Sequence, residues 1–249
     1  MLKIFSVSKS YAKSTFKAVD ELTLNAKKGV IYGFIGPNGA GKTTTIKMLT
    51  GILPFEEGSI EINGYDLKRD SINAKRSIGF VPDNHVIYEK LTGREYLNFM
   101  ADIYKVSLEQ RKMLSEKYLE MFSLTKDVDS QISSYSHGMK QKISVIGALI
   151  HNPPLWVLDE PLTGLDPQSS FELKNLMKEH TKEGNTVFFS THVSEVAERL
   201  CDRIGIINKG KLLLEGTMDE IKAMGGEGES LEQIFIKLTN NNTASIEVE

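Results

Sequence analysis

The most informative segment of the chain reads Val30-Ile-Tyr-Gly-Phe-Ile-Gly-Pro-Asn-Gly-Ala-Gly-Lys-Thr-Thr44. Its first part, Val30–Ile35, is an almost unbroken apolar run of the kind that forms a strand buried in a parallel or mixed sheet. The glycine-rich turn that follows matches the pattern Gly-x4-Gly-Lys-Ser/Thr, and a helical pattern with Ile46, Met48 and Leu49 comes next. This order of strand, loop and helix predicts a phosphate-binding loop. A glycine-rich turn with an incidental lysine is the alternative.

The chemistry of the loop residues explains how they would hold a phosphate. Glycines allow consecutive backbone N–H groups to face an anion, and the amino terminus of the next helix adds positive potential. Lys42 supplies a full charge to the β- and γ-phosphates of a nucleotide, and the Thr43 hydroxyl can ligate Mg²⁺. The residues predicted to bind the nucleotide here are Gly36, Pro37, Asn38, Gly39, Ala40, Gly41, Lys42, Thr43 and Thr44.

A second apolar strand, Leu155-Trp-Val-Leu-Asp-Glu160, ends in two acids. A carboxylate at the tip of a buried strand beside a phosphate loop suits a magnesium site, so Asp159 is predicted to face the metal. Glu160 would project toward the γ-phosphate and could polarise a water molecule. Two acids after a strand also fit a solvated loop, and the phosphate loop elsewhere in the chain is what favours the functional interpretation.

The hydrophobic pattern along the chain indicates an α/β core. Helical patterns separate most of the predicted strands, which is typical of this fold class. These strands are Leu2–Val7, Val19–Ala26, Val30–Ile35, Ile78–Val81, Leu155–Leu158, Thr186–Phe189 and Ile204–Ile207.

The segment between Val81 and Leu155 is predicted to be a helical insertion. Thr92 with Glu95, and Ser107 with Gln110, each form a capping box, and a third helix would run from about Ser136 to Ile150. The first of these helices has an apolar stripe formed by Tyr96, Leu97, Met100, Ile103 and Tyr104.

The end of the chain differs from the rest. A hairpin-like segment, Ile206–Leu214, leads to a short helix and then to a glycine-rich hinge at 225–228. Leu231–Leu238 could form an amphipathic helix, and Thr239–Glu249 reads as a polar, frayed tail. We therefore expect one domain over residues 1–224, with the helical insertion at about 86–150, and an appended segment over 225–249.

Composition restricts the possible partners and the compartment. The formal net charge is -3, so no global charge points to nucleic acid or to an anionic membrane surface. The one cysteine, Cys201, cannot form an internal disulfide, which fits a reducing compartment. No signal sequence precedes the first strand, and the longest apolar stretch, Ile143–Ile150, is too short to span a bilayer. We expect a cytoplasmic protein that reaches a membrane only by docking on another subunit.

Taken together, the motifs resemble those of ABC ATPases. Pro161-Leu-Thr-Gly-Leu-Asp-Pro167 resembles the D-loop of that family, and Ser190-Thr-His192 resembles its switch histidine. Ser136-His-Gly-Met-Lys-Gln141 resembles a degenerate signature motif, and Tyr11 resembles the aromatic residue that stacks on adenine. The motifs occur in the order of the family and cover residues from about 3 to 216.

The resemblance implies a fold and a mechanism. The fold would be α/β, a P-loop NTPase core with an antiparallel β subdomain and an inserted α-helical subdomain. ATP and Mg²⁺ would be the cofactors, with Glu160, His192 and Lys42 as catalytic residues. Two cassettes, identical or paralogous, would enclose each ATP between the phosphate loop of one and the signature of the other. The signature side of this sandwich would be Ser136, His137 and Gly138, and Asp166 of the D-loop is also expected to bind the nucleotide.

The resemblance also implies a partner and a direction of transport. A transmembrane permease on a separate chain would dock near Asp83–Tyr88, so that the ATPase sits at the inner face of the membrane. Asp83 stands where the family usually has a glutamine, and we expect it to contact the metal. The alternative is that Asp83 is a solvated surface acid. The signature has Tyr135 and His137 in place of its usual leucine and glycine. These variants favour export.

Several alternatives stay open at this point. Tyr11 could be an exposed loop aromatic, His192 a structural histidine, and Ser136 only a helix cap. The main rival function is a non-transport ABC ATPase that acts on nucleic acid or the ribosome, although the chain has no coiled-coil heptads and a single phosphate loop. A non-catalytic regulatory cassette is the second rival, and the intact set of Lys42, Asp159, Glu160 and His192 argues against it.

Overall fold

A computed structural model describes residues 1–12, 16–83, 88–224 and 229–244 of the chain. The predicted hinge at 225–228 lies outside these residues. The strands of the described residues are, in chain order, β1 (Leu2–Ser10), β2 (Lys17–Ala26), β3 (Ile31–Ile35), β4 (Glu57–Ile62), β5 (Tyr65–Asp66), β6 (Ile78–Val81), β7 (Leu155–Asp159), β8 (Thr186–Thr191), β9 (Arg203–Asn208) and β10 (Lys211–Thr217). The α-helices are α1 (Lys42–Leu49), α2 (Ser71–Arg76), α3 (Gly93–Ile103), α4 (Leu108–Met121), α5 (His137–Leu149), α6 (Pro167–Lys182), α7 (Ser194–Leu200), α8 (Met218–Met224) and α9 (Leu231–Ala244).

The strands form two sheets, as the α/β prediction with an antiparallel β subdomain requires. The first sheet is antiparallel and has the order β2-β1-β4-β5. The second has the order β10-β9-β3-β8-β7-β6, and its four central pairings, from β9 to β6, are all parallel. Parallel strands in one sheet end at the same edge. The carboxyl ends of β3, β7 and β8 therefore place the phosphate loop, the two acids and the Ser190-Thr-His192 segment side by side.

Side-chain burial explains why each sheet has its own sequence pattern. β3, β7 and β8 are buried along their whole lengths because both faces of the parallel sheet are covered, one by α1 and the antiparallel sheet and the other by helices that include α3, α5 and α6. In β2, Leu22, Leu24 and Ala26 are buried while the residues between them are exposed, which is the alternation expected of a sheet with one solvated face.

The insertion between β6 and β7 is helical, as predicted, and consists of α3, α4, a short 3-10 helix at Ile132–Ser134 and α5. The Thr92–Glu95 capping box is present at α3, and Ser107 and Ser136 cap α4 and α5 by accepting backbone N–H bonds.

Two details of the helices differ from the sequence prediction. Ile103 was expected on the buried stripe of α3 but is exposed, because the helix ends there and Tyr104 turns back to stack on His151. The helix predicted at Leu231–Leu238 continues to Ala244, so the polar tail begins later than Thr239. Leu231 and Ile234 of this helix are buried in a cluster with Ala197 of α7 and Ile221 of α8.

In the described parts of the chain, we find no helix with the length and apolar character that crossing a membrane requires.

Candidate functional site

The phosphate loop connects β3 to α1 and is shaped by its glycines. Gly41, which precedes the first residue of α1, has a φ of 108°, which residues with a Cβ rarely adopt. A Cβ at this position would lie 2.5 Å from the Ala18 carbonyl oxygen, so only glycine fits. The Lys42 side chain is buried, and its Nζ donates to the carbonyl oxygens of Gly36 (2.7 Å) and Pro37 (3.2 Å). The ammonium group is thus folded back over the loop.

Asp159 is the last residue of β7 and is almost completely buried. Its carboxylate is hydrogen-bonded to the hydroxyls of Ser190 (2.5 Å) and Thr43. Burial raises the pKa of the Asp159 carboxyl, and the nearby charges of Asp83 and Glu160 raise it further, against the lowering effect of the two hydroxyls. Asp159 therefore stands in a pocket of concentrated negative charge that lies directly against the Thr43 hydroxyl.

Glu160 lies between the two other predicted catalytic residues. One carboxylate oxygen, Oε1, is 3.4 Å from Lys42 Nζ, and the other, Oε2, is 3.0 Å from His192 Nδ1. Its backbone has a φ of 49°, in the left-handed region that non-glycine residues seldom occupy. Backbone strain of this kind is concentrated at functional sites. The side chains predicted to be catalytic are therefore connected to one another through a single carboxylate.

Tyr11 lies at the rim of the same site. Its ring is about half exposed, and its hydroxyl oxygen is 3.4 Å from Thr44 Oγ1 in the phosphate loop. An exposed ring at this position could accept a base against its face while the phosphates bind in the loop.

Asp83, the predicted metal contact, is exposed after the end of β6. It is close enough to Asp159 for its charge to raise the pKa of that carboxyl. Within the described residues, no group of three or more histidine, cysteine, aspartate or glutamate side chains is arranged to hold a metal ion by itself.

The remaining predicted residues form a second cluster where α5 and α6 begin. Ser136 caps α5 by accepting from Met139 N, and Asp166 caps α6 by accepting from Ser169 N (2.9 Å). A Cβ at Gly164 would meet the His137 ring at 2.8 Å, so His137 lies close to the D-loop. Ser136 and Asp166 thus each cap the first turn of the helix that follows them.

Asp166 is held by several partners. Hydrogen bonds from the Ser169 hydroxyl and from the Ser169 backbone lower the pKa of the Asp166 carboxyl most. The nearby Lys142 lowers it further, by a smaller amount. Lys142 Nζ is 3.3 Å from Asp166 Oδ2. The buried amide of Gln141 donates to the Pro161 carbonyl, which directly follows Glu160 in the chain. The signature helix α5 is therefore joined to the segment that carries Glu160.

Three residues make contacts at the site that the sequence did not predict. Gln141 and Lys142 lie within or next to the signature, but nothing in the sequence shows that they reach the segment after Glu160. Ser190 belongs to the motif that was recognised for His192, and its contact with Asp159 depends on the register of β7 and β8. The strand predictions are the signal that could have revealed this pair.

Comparison with known proteins gives a consistent family. The chain matches the family described as "ABC transporter" over residues 19–163, which is more than half of its length. It is 36% identical to the linearmycin resistance ATP-binding protein LnrL of Bacillus subtilis over 96% of this chain and 76% of that protein. It is 39% identical to the bacitracin transport ATP-binding protein BcrA of Bacillus licheniformis over 89% of this chain and 71% of that protein.

Solved structures have the same fold. One, described as the ATP-binding subunit of an ABC transporter, superposes with a TM-score of 0.91 at 34% identity and covers 96% of this chain and 99% of its own. Another is a dimeric ATP-binding cassette in a post-hydrolysis state bound to ADP and Pi. It superposes with a TM-score of 0.79 at 26% identity and covers 88% of this chain and 99% of its own.

Proposed function

Since the chain belongs to the ABC transporter family, as an ATP-binding and ATP-hydrolysing subunit, we propose that it powers export through a permease on a separate chain. The observation that carries the site assignment is the position of the Glu160 carboxylate, 3.4 Å from Lys42 Nζ and 3.0 Å from His192 Nδ1. A carboxylate held between a phosphate-binding lysine and a histidine is placed to orient a water molecule toward a γ-phosphate.

The roles of the nucleotide-binding residues follow from their positions. Backbone N–H groups of the phosphate loop, other than Pro37, which has none, would surround the phosphates together with the start of α1, and Tyr11 would stack on the base. Lys42 transfers its hydrogen bonds from the Gly36 and Pro37 carbonyls to phosphate oxygens, while His192 contacts the γ-phosphate and keeps Glu160 oriented. Glu160 receives the proton of the attacking water.

The residues at the end of β7 fit a magnesium ion. Thr43 and Asp159 offer hard oxygen ligands in mutual contact, and the Asp83 and Glu160 charges around Asp159 are of the sign that attracts a cation. Two protein oxygens suffice because Mg²⁺ in such sites keeps water and phosphate ligands as well. Thr43 and Asp159 would hold a Mg²⁺ ion, with Asp83 contacting it through water, and the ion would neutralise phosphate charge.

We assign the second cluster a role in a dimer, where it would contact the ATP that is bound by the phosphate loop of the other chain. Ser136 and Gly138 lie at the amino terminus of α5, where backbone N–H groups and the helix dipole favour an anion. Because Ser136, His137 and Asp166 are exposed in the single chain, they are accessible to an ATP bound by a second cassette. The dimeric cassette among the similar structures supports this arrangement.

The permease is proposed to bind beside Asp83, where α3 presents apolar side chains. Tyr88, Phe99 and Ile103 are exposed, and the rings of Tyr88 and Phe99 pack edge to face with 5.2 Å between centroids. Residues 84–87 of the predicted docking segment lie outside the described residues. A partner at this face would lie at the inner face of the membrane.

The catalytic assignment is tested by replacing Glu160. Glu160→Gln keeps the size of the side chain but removes its basicity, so steady-state ATP hydrolysis should fall by roughly 10²–10⁴-fold. ATP binding, measured by fluorescence titration, should be retained. Glu120→Gln, which changes an exposed acid on α4, is the matched control and should hydrolyse ATP normally. Hydrolysis by Glu160→Gln within a few-fold of the wild type would show that another group activates the water.

The direction of transport is supported by the relatives LnrL and BcrA, which are named for resistance to linearmycin and for transport of bacitracin. We therefore propose outward movement of a toxic compound to which the cell must be resistant. Cells that carry only the Glu160→Gln chain should become more sensitive to such compounds, as measured by growth inhibition across an antibiotic panel. If that panel instead leaves sensitivity unchanged and uptake of a nutrient fails, the assignment to export is wrong.

A further inference from the structure

We propose that Ser190 is a positioning residue for ATP hydrolysis, because its single hydroxyl fixes both acids at the carboxyl end of β7. This inference rests on the roles proposed above for Asp159 and Glu160. Ser190 itself does not lie in the phosphate loop, and it acts through these two neighbours.

The contacts of Ser190 follow from the register of the parallel sheet. Ser190 of β8 pairs directly with Asp159 of β7. Its Oγ lies 2.5 Å from Asp159 Oδ1 and 3.1 Å from the backbone nitrogen of Glu160. The Ser190 residue is fully buried, so water does not compete for either bond.

The direction of the two hydrogen bonds is fixed by chemistry. The Glu160 N–H group can only donate, so it uses a lone pair of the serine oxygen. The one proton of the hydroxyl is then donated to Asp159 Oδ1. One serine side chain therefore sets the rotation of the Asp159 carboxylate and anchors the backbone of the next residue at the same time.

The second anchor is important because Glu160 has an unfavourable backbone conformation. Its φ of 49° persists only if surrounding groups hold it there. Ser190 holds the backbone nitrogen, and His192, two residues later, holds the carboxylate at 3.0 Å. The end of β8 thus holds Glu160 at both its backbone and its side chain.

Removal of the hydroxyl should loosen both acids without changing the nucleotide loop. Partners that orient a ligand or a catalytic group typically contribute 10–100-fold to metal affinity or activity. For Ser190→Ala we expect a loss of turnover on the order of 10–100-fold and a higher Mg²⁺ concentration for half-maximal hydrolysis. The affinity of Ser190→Ala for ATP in EDTA should stay within twofold of the wild type. Mg²⁺ should increase the ATP affinity of Ser190→Ala less than it increases that of the wild type.

The experiment compares five chains for turnover, for ATP affinity with Mg²⁺ and with EDTA, and for thermal unfolding. They are wild type, Ser190→Ala, Ser190→Thr, which restores a hydroxyl, Ser77→Ala and Glu160→Gln. Ser77 is a buried serine at the opposite end of the parallel sheet, where its hydroxyl donates to the Asn73 carbonyl at 3.0 Å. The Ser77→Ala chain should show the stability cost of a lost buried hydroxyl with normal turnover and normal Mg²⁺ dependence.

Each outcome decides between the alternatives. Loss of turnover and of the Mg²⁺ effect in Ser190→Ala, with recovery to within a few-fold in Ser190→Thr, supports the proposal. Turnover of Ser190→Ala within twofold of the wild type, with an unchanged Mg²⁺ effect, overturns it. Equal loss of stability, of ATP affinity in EDTA and of turnover in both Ser190 variants also overturns it, because the role is then structural. Full activity of Glu160→Gln in the same assay would instead contradict the proposed function.

Discussion

Among single residues, Glu160 combines an unfavourable backbone conformation with a carboxylate held by two partners. Its side chain is mostly buried, and the contacts to Lys42 and His192 use both carboxylate oxygens. A nucleotide phosphate that attracts Lys42 would leave Glu160 with its His192 contact and one free oxygen. In the role proposed for Glu160, binding of ATP would therefore leave the carboxylate free to accept a water molecule.

Asp83 is the residue for which two opposing effects have to be weighed. A carboxylate near Mg²⁺ is attracted to the metal but repelled by the γ-phosphate, and the closer partner dominates. The charge of Asp83 raises the pKa of Asp159, which is the predicted metal ligand. We therefore expect Asp83 to lie closer to the metal than to the γ-phosphate. Asp83→Asn should therefore raise the Mg²⁺ concentration needed for half-maximal hydrolysis by several-fold, as measured by a Mg²⁺ titration of ATPase activity.

The control for this titration is Asp219→Asn, which neutralises an exposed acid on α8. The two variants have the same net charge, so a general charge effect would shift both curves equally. An Mg²⁺ requirement for Asp83→Asn that matches that of Asp219→Asn would identify Asp83 as a surface acid.

At the scale of secondary-structure elements, the amino ends of β6 and β7 pack against two histidines, the half-buried His151 and the buried His180. His151 stacks on Tyr104 with 3.5 Å between ring centroids, and His180 meets Trp156 edge to face. In the described part of the chain, His151 Nδ1 and His180 Nε2 have no hydrogen-bond partner. Burial lowers the pKa of each to about 4, so both are neutral in the folded chain at pH 7.

These histidines predict a loss of stability in mild acid. The unfolded chain takes up two protons as the pH falls below about 6.5, whereas the folded chain takes them up only near pH 4. The free energy of unfolding should thus decrease by about 2 kcal/mol per histidine between pH 7 and pH 5. Urea unfolding at the two pH values measures this difference. It should shrink in His151→Phe, which removes one of these two histidines.

A difference that is equal in wild type and His151→Phe would show that other groups cause the acid sensitivity. Carboxylates cannot be mistaken for the histidines in this comparison, because His151→Phe leaves all of them in place.

The elements differ in how well the sequence predicted them. β3, β7 and β8 were found because burial on both faces leaves long apolar runs, and α3 was found from its capping box. β4 was missed because Gly58 and Ser59 interrupt it and only Ile60 and Ile62 are buried. Its pairing with β1 is a long-range contact that no local pattern reveals.

The candidate site shows the same limit. Lys42, Asp159, Glu160 and His192 were found because each follows a recognisable strand. The contacts of Ser190 depend on the register of β7 and β8, and those of Gln141 and Lys142 depend on how α5 packs. Neither feature can be predicted from a local sequence pattern.

At the scale of the whole molecule, we propose that ATP joins two chains by binding between the phosphate loop of one and the signature of the other. The surface around Ser136, His137 and Asp166 is exposed in the single chain, and ATP would supply much of the interface. A ligand that binds only the closed dimer shifts the equilibrium toward it. The main rival contact, the apolar face of α9, already buries Leu231 and Ile234 within the chain.

The most direct test is the molar mass of the Glu160→Gln chain, measured by size-exclusion light scattering with and without Mg-ATP. Because this variant binds ATP but hydrolyses it very slowly, the closed form should accumulate. We expect the mass of one chain without nucleotide and of two chains with Mg-ATP. The mass should return to that of one chain when Ser136→Arg is added to block the signature surface. A dimer in nucleotide-free buffer that ATP leaves unchanged, or a single chain under both conditions, would contradict this proposal.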